Sequence, residues 1–195
     1  VLGELGYFDK EEFKKLRQLH AMLQGHPDCK KIPGVDASTG SLGQGISIAV
    51  GMALGAKHQK QDINVYTVTG DGELQEGQVW EAFMAAAHYQ LDNLTVMIDN
   101  TGLQIDGKND EVMSLGDLAA KVKAFGFHLI ELPDGNDIDA VITALQQPKV
   151  PGKPTCILAH TVKGKGVSFM ENQVGWHGKA PNAQQLQEAL AELED

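Results

Sequence analysis

Two glycines flank an aspartate at positions 70–72, directly after the β-branched and apolar run INVYTVTG (63–70). Such a run is typical of a buried strand that ends where the glycines begin. Gly70 and Gly72 would let a phosphate approach backbone N–H groups, and Asp71 between them offers a hard oxygen ligand. Asp-Gly is also an ordinary turn sequence, so this triplet alone indicates a turn more often than a binding site.

A second predicted strand, LTVMIDN (94–100), also runs into polar side chains, those of Asp99, Asn100 and Thr101. Adjacent parallel strands end at the same edge of a sheet, so these side chains should lie close to Asp71. A helix predicted from about Glu76 points its positive N-terminal end toward the same place. Mg²⁺ prefers few protein ligands together with phosphate oxygens and water. The two strand ends therefore predict a diphosphate site that holds Mg²⁺, with Ca²⁺ as the alternative.

The elements around this site alternate along the chain. Helical periodicity covers about 9–24, 43–59, 76–90, 114–125, 136–147 and 183–194, and strand patterns fall near 63–69, 94–99, 127–132 and 155–160. Strands and helices that alternate across short loops predict an α/β fold. We expect a doubly wound, mainly parallel sheet with helices on both faces.

Four segments together resemble the transketolase family of thiamine diphosphate (ThDP) enzymes, in the family's order and spacing. They are the two strand ends with their connecting helix (70–104), GHP (25–27), ASTGSLGQGISIAVGMALGA (37–56) and HTVKGKGVSFMENQVGWHGKAP (160–181). The resemblance covers essentially the whole chain. It implies a transferase of pentose phosphate metabolism that moves a two-carbon ketol unit from a ketose phosphate to an aldose phosphate.

The resemblance also implies roles for individual residues. The backbone of Gly40, Ser41 and Leu42 would pack against the cofactor's aminopyrimidine ring. His26 and His177 would act as catalytic histidines at the substrate, and His177 would also contact ThDP. Glu76 and Glu81 would form an acidic cluster that couples two cofactors across a subunit interface. The remaining residues expected to contact the cofactor are Gly70, Asp71, Gly72, Glu73 and Thr101.

The metal site departs from the family pattern at one ligand. Where transketolases carry a second ligand, an asparagine, this chain has Thr101 when aligned on the following GLQIDG, and Asn100 lies one place early. A threonine hydroxyl can bind Mg²⁺, but it lacks the amide N–H that asparagine donates to the diphosphate. We expect Asp71, the Thr101 hydroxyl and the Leu103 carbonyl to bind the metal, because Asn100 could do so only after a local backbone change.

We interpret residues 1–195 as a single ThDP-binding (diphosphate) domain that includes an active-site loop at 164–182. The first residues, VLGELGYF, are typical of the end of a helix. We therefore expect that the amino-terminal segment found in the family is missing here. The pyrimidine-binding domain, which holds the catalytic glutamate, would belong to a separate carboxy-terminal transketolase subunit or, if this chain is a fragment of a fused enzyme, to that enzyme's carboxy-terminal domains. The chain alone should therefore be inactive and should assemble as a homo-oligomer or heterotetramer.

Composition limits the other classes of function. The net charge of −10 argues against a nucleic-acid partner, and no apolar run approaches the length of a membrane span. Two cysteines are too few for a disulfide framework or a zinc site, which favours a cytoplasmic location. A dinucleotide-binding dehydrogenase is disfavoured because no G-x-G-x-x-G follows a first strand.

Two alternatives remain open on these residues. One is another ThDP enzyme of the same fold, such as 1-deoxyxylulose-5-phosphate synthase or a 2-oxoacid dehydrogenase; the GHP, STGSLGQG and WHGKAP segments argue against it. The other is a non-catalytic, transketolase-like interaction subunit, which is supported by Thr101 in place of asparagine and by the expected absence of the first segment.

Overall fold

The computed structural model describes residues 1–194, and its centre is a four-stranded parallel sheet. The strands are β1 (Val65–Gly70), β2 (Leu94–Asn100), β5 (His128–Leu132) and β6 (Thr155–His160), in the spatial order β1-β2-β6-β5. A separate two-residue hairpin joins β3 (Leu103–Gln104) to β4 (Gly107–Lys108). The helices are α1 (Gln44–His58), α2 (Gly77–His88), α3 (Asn109–Met113), α4 (Leu118–Ala124), α5 (Ile138–Leu145) and α6 (Ala183–Leu193).

Helices cover both faces of the sheet, as the sequence predicts. On one face, α1, α2 and α4 pack on a core that includes Val96, Ile98 and Leu158. On the other face, α5 places Ala144 against Ile130 and Ile157. The alternation arises because successive residues of a strand point to opposite faces, and apolar residues on both faces of β2 and β6 need cover on both.

The second face remains exposed at β1, which is an edge strand. Tyr66 is 56% exposed and Val68 is 68% exposed. Beside this edge, a groove of about 1010 Å³ runs between α1 and β1 as far as the segment 39–42. No helix among residues 1–194 is long and apolar enough to cross a membrane.

The amino-terminal third differs most from the sequence prediction. Instead of a helix over 9–24, the chain forms a short 3-10 helix (Lys10–Lys15) followed by turns, and residues 2–6 are turns rather than the end of a helix. Arg17 and His20 adopt positive φ values of 64° and 65°, which a helix excludes. An amphipathic helix is stable only where its apolar stripe packs on a partner, and Leu19 here is 87% exposed.

Smaller differences concern the ends of elements. The strand predicted from position 63 begins at Val65, and the helix predicted over 114–125 spans only Leu118–Ala124, preceded by the unpredicted α3. Asp137 caps α5 by accepting hydrogen bonds from Asp139 N and Ala140 N. The other helices and strands lie within a few residues of their predicted bounds.

Candidate functional site

Asp71 lies at the carboxyl end of β1, where it caps a 3-10 helix (Gly72–Gln75), and it is only 2% exposed. Its Oδ1 accepts a hydrogen bond from the Gly72 N–H at 2.8 Å, and its Oδ2 accepts one from the Gly102 N–H at 2.5 Å. The second bond joins the loop after β1 to the loop after β2. The two strand ends singled out by the sequence therefore meet at this carboxylate.

Thr101 and Leu103 contribute two further oxygens beside it. The Thr101 hydroxyl donates to the Leu103 carbonyl at 3.1 Å and accepts from the Leu103 N–H at 3.2 Å. Gly102 between them adopts a φ of 72°, a left-handed conformation that turns its N–H toward Asp71. The side chain of Asn100 is engaged elsewhere, because its amide lies 3.1 Å from Nδ1 of His160 on β6.

This donor set fits a hard cation that also binds phosphate. One carboxylate, one hydroxyl and one carbonyl are oxygen ligands, and they leave positions for phosphate oxygens and water, as Mg²⁺ prefers. In residues 1–194, no group of three or more His, Cys, Asp or Glu side chains could form an all-protein metal cage. The residues present thus fit a shared metal–diphosphate site better than a zinc site.

Glu73 links a third loop to the same place. Its Oε1 accepts from the Gly43 N–H at 2.8 Å, and its Oε2 accepts from the Gly70 N–H at 3.2 Å. Both carboxylate oxygens are thus occupied by backbone groups of the protein. This arrangement holds the loop 40–43 against the end of β1, so Glu73 acts here on the loop's position.

His26 packs directly on Gly40. A Cβ atom at Gly40 would lie 2.5 Å from Cγ of the His26 ring, and Gly40 has a φ of 126° that other residues rarely adopt. Gly40, Ser41 and Leu42 line one end of the groove between α1 and β1, together with Glu73. The predicted aminopyrimidine-binding backbone and the predicted substrate histidine are therefore neighbours.

The two predicted catalytic glutamates lie apart, Glu76 just before α2 and Glu81 within it. Glu76 is the residue before the helix, and its Cβ lies 3.0 Å from the place a Cβ would occupy at Gly43. Glu81 is exposed further along the helix, in a shallow cleft with Gln78 and Ser47 of α1. Glu76 thus adjoins the loop 40–43, whereas Glu81 faces outward.

His177 is exposed in the long segment after β6, just beyond a 3-10 helix (Val174–Trp176). Its ring makes no hydrogen bond to any residue that the structure describes. The neighbouring Trp176 is anchored, since its Nε1 donates to the Phe169 carbonyl at 3.0 Å and Lys179 lies over its ring. The structure therefore fixes this loop internally but does not join His177 to Asp71.

The same segment is tied to α6 by Glu192. The Glu192 carboxylate accepts from the Ser168 N–H at 2.5 Å and from the Ser168 hydroxyl at 2.8 Å. These two hydrogen bonds lower the pKa of Glu192 from its ordinary value of 4.5.

We expect the tie between α6 and the loop to loosen in acid. Because the pKa is lower in the folded state, the stabilisation is complete above the ordinary value and is lost as pH falls through the depressed one. The protection factor of the Ser168 amide, which is the exchange rate of an unstructured amide at the same pH divided by its own, should therefore fall at low pH, and Glu192→Gln should show a lower protection factor already at neutral pH. Glu188→Gln, on the same helix, is the matched control; equal exchange in both variants would contradict the assignment.

Sequence reasoning missed three polar residues near the site. His160, the last residue of β6, and Thr161 line a cavity of about 400 Å³ together with Asn100, Thr101 and Asn109. His160 carried no motif, and Asn109 follows a hairpin too short for any periodicity to predict. Cys156 is not a further nucleophile candidate, because burial raises the pKa of its thiol to about 12.

Known proteins are similar to this chain over nearly its whole length. Residues 2–193 match the family model described as "Transketolase, thiamine diphosphate binding domain". The chain is 40% identical over 194 residues to one subunit of an apulose-4-phosphate transketolase from Actinobacillus succinogenes, covering 100% of this chain and 70% of the relative. It is 42% identical over 195 residues to the 6-deoxy-6-sulfo-D-fructose transketolase subunit SqwG from Clostridium sp., again covering 100% and 70%.

Solved structures give the same result for the fold. The transketolase from Leishmania mexicana superimposes with a TM-score of 0.89 at 32% sequence identity. The match covers 94% of this chain but 29% of that one, so the chain spans less than a third of the transketolase whose structure it resembles.

Proposed function

Because this chain belongs to the transketolase family, we propose that it is the diphosphate-binding half of a transketolase. It transfers a two-carbon ketol unit from a ketose phosphate to an aldose phosphate with ThDP and Mg²⁺, and it needs a pyrimidine-domain partner chain. The observation that carries this proposal is the buried Asp71 carboxylate, which joins the loops after β1 and β2 beside the Thr101 hydroxyl and the Leu103 carbonyl.

In this proposal Asp71, Thr101 and Leu103 hold the metal against the cofactor's diphosphate. The Gly72 N–H, at the start of the 3-10 helix, donates to Asp71 and so would hold this carboxylate in place for the metal. Glu73 acts indirectly, since it fixes the loop 40–43 on which the aminopyrimidine would pack. When bound, ThDP supplies the nucleophilic carbon and the electron sink, while the protein supplies position and electrostatics.

The histidines would act on the substrate. His26, on the surface beside Gly40, is placed to hydrogen-bond a sugar hydroxyl next to the cofactor's ring. His177 would do the same once the active-site loop (164–182) closes over the cofactor. Glu76 and Glu81 would belong to the subunit interface, which agrees with the exposure of both residues.

Relatives that are themselves named as transketolase subunits support the need for a partner. The partner would supply the pyrimidine-binding domain and the catalytic glutamate, in a homo-oligomer or a heterotetramer. The names of the two relatives specify a sugar phosphate and a sulfonated sugar, so these names do not identify one substrate, and the proposal of sugar phosphates rests on the family resemblance.

The test of this function is a ketol-transfer assay with xylulose 5-phosphate as donor and ribose 5-phosphate as acceptor. We expect activity only when the full-length protein is combined with its partner chain, with either chain alone below one hundredth of that rate, roughly the loss when part of a catalytic constellation is removed. Pyruvate in place of the ketose phosphate should give no product. Turnover of pyruvate but not of the ketose would assign the chain to a different ThDP enzyme.

One feature favours a second candidate, a non-catalytic interaction subunit. Thr101 replaces the family's asparagine and removes an amide donor to the diphosphate. That candidate requires weak or absent ThDP binding even with the partner present, so cofactor affinity separates it from the main proposal.

A further inference from the structure

The side-chain oxygen of Asn109 is buried and has no hydrogen-bond partner among the described residues. The residue begins α3 and is 5% exposed. A buried acceptor left without a hydrogen-bond partner destabilises the folded state. An unpaired amide oxygen at this position therefore indicates a donor that arrives with a bound group or with water.

The position of Asn109 relates it to the proposed metal site. Its backbone N–H donates to the Gly102 carbonyl at 2.9 Å, and the Gly102 N–H in turn donates to Asp71. Its Oδ1 lies 3.7 Å from the place a Cβ would occupy at Gly72, whose N–H donates to the other oxygen of Asp71. Asn109 thus adjoins both residues that hold the Asp71 carboxylate.

We propose that Asn109 is a positioning residue of this site and that its Oδ1 accepts a hydrogen bond from a water molecule bound to Mg²⁺. The inference rests on the proposed function. Mg²⁺ gives up water reluctantly, and the waters that it keeps need acceptors. Thr101 brings a hydroxyl where the family has an amide, and Asn109 restores an amide oxygen from the neighbouring helix.

The test compares two variants that each remove an orphaned buried oxygen. Asn109→Leu removes the amide oxygen beside the site, and Thr155→Val removes the unpaired Oγ1 of Thr155 at the first residue of β6, the opposite end of the sheet. Each is made in the full-length protein purified with its partner chain. The readouts are the unfolding temperature without ligand and the ThDP dissociation constant, measured by calorimetry with Mg²⁺ and with EDTA.

We expect neither variant to lower the unfolding temperature, because each removes an unsatisfied polar atom. Only Asn109→Leu should weaken Mg²⁺-dependent ThDP binding, by about tenfold or more, as is typical when an outer partner of a metal site is lost. Asn109→Asp, which keeps an oxygen acceptor, should bind more tightly than Asn109→Leu. If Asn109→Leu does not fold, Asn109→Ala, which cannot overpack the site, takes its place in the comparison.

Three outcomes would contradict the inference in distinguishable ways. Unchanged affinity in Asn109→Leu, while the unaltered protein binds ThDP with Mg²⁺, would overturn the role of Asn109 alone. Absence of metal-dependent binding in the unaltered protein would overturn the proposed function and this inference with it. If Asn109→Leu weakened ThDP binding equally in EDTA and in Mg²⁺, the donor to Asn109 Oδ1 would be an ordinary structural water and not a water bound to the metal.

Discussion

Asp71→Ala should abolish Mg²⁺-dependent ThDP binding, with an affinity loss of about 100-fold or more. The carboxylate is the only acidic group among the three proposed metal ligands, so its removal leaves a hydroxyl and a carbonyl without the charge that attracts the cation. It also frees the N–H groups of Gly72 and Gly102, which now donate to Asp71, and so separates the loops after β1 and β2. Calorimetric titration of ThDP in the presence of Mg²⁺ measures the effect directly.

Asp99→Ala is the matched control for this prediction. Asp99 pairs with Gly70 across the sheet, so it lies at the same edge, but its carboxylate is exposed and accepts from the Thr161 hydroxyl at 2.5 Å. This variant should bind ThDP within about threefold of the unaltered protein, since exposed substitutions rarely change stability by more than about 0.5 kcal/mol. If both variants lost affinity equally, the metal assignment to Asp71 would be contradicted.

Phe83→Ala should lower the free energy of unfolding by about 3–5 kcal/mol, the largest stability effect expected in this chain. Phe83 is fully buried on α2, and its ring stacks on Phe127 at a centroid distance of 4.4 Å. The rings of Trp80 and Phe125 lie 5.5 Å and 6.2 Å away. Removal of the Phe83 ring leaves a cavity where α2 packs against the sheet. Residues 72–76 connect this helix directly to Asp71.

Urea unfolding measures this effect, and the adjacent Met84→Ala is its control. Met84 is 56% exposed on the same helix, so its truncation should change the free energy of unfolding by less than about 0.5 kcal/mol. A loss below about 1 kcal/mol in Phe83→Ala would mean that the aromatic cluster does not anchor α2.

The central sheet and the convergence of its loops could be predicted because burial leaves a strong pattern in the sequence. LTVMIDN reads as a strand because β2 is covered on both faces, and the parallel order then places Asp71 and Thr101 at one edge. The amino-terminal segment could not be predicted in the same way. Its apolar spacing matches a helix, but the periodicity does not say whether a surface exists for that helix to pack on.

The contacts within the site could be predicted from the sequence less well than the fold. The contact of Glu73 with the cofactor stays a prediction, but residue spacing did not predict that its two carboxylate oxygens accept from the backbone N–H groups of Gly43 and Gly70. Asn109 became visible only through its unpaired oxygen, since nothing in the KNDEVM run marks it. Such pairings require segments that are far apart in the chain to be placed to within tenths of an ångström of each other. Residue spacing does not specify placement at that precision.

The most direct test of the account is a calorimetric titration of ThDP into the full-length protein with its partner chain, first with Mg²⁺ and then with EDTA. We predict saturable binding that requires the metal and weakens by at least about tenfold when EDTA removes it, in line with a diphosphate held through Asp71, Thr101 and Leu103. Binding of equal strength in EDTA, or no binding in either condition, would contradict a metal–diphosphate site at the ends of β1 and β2.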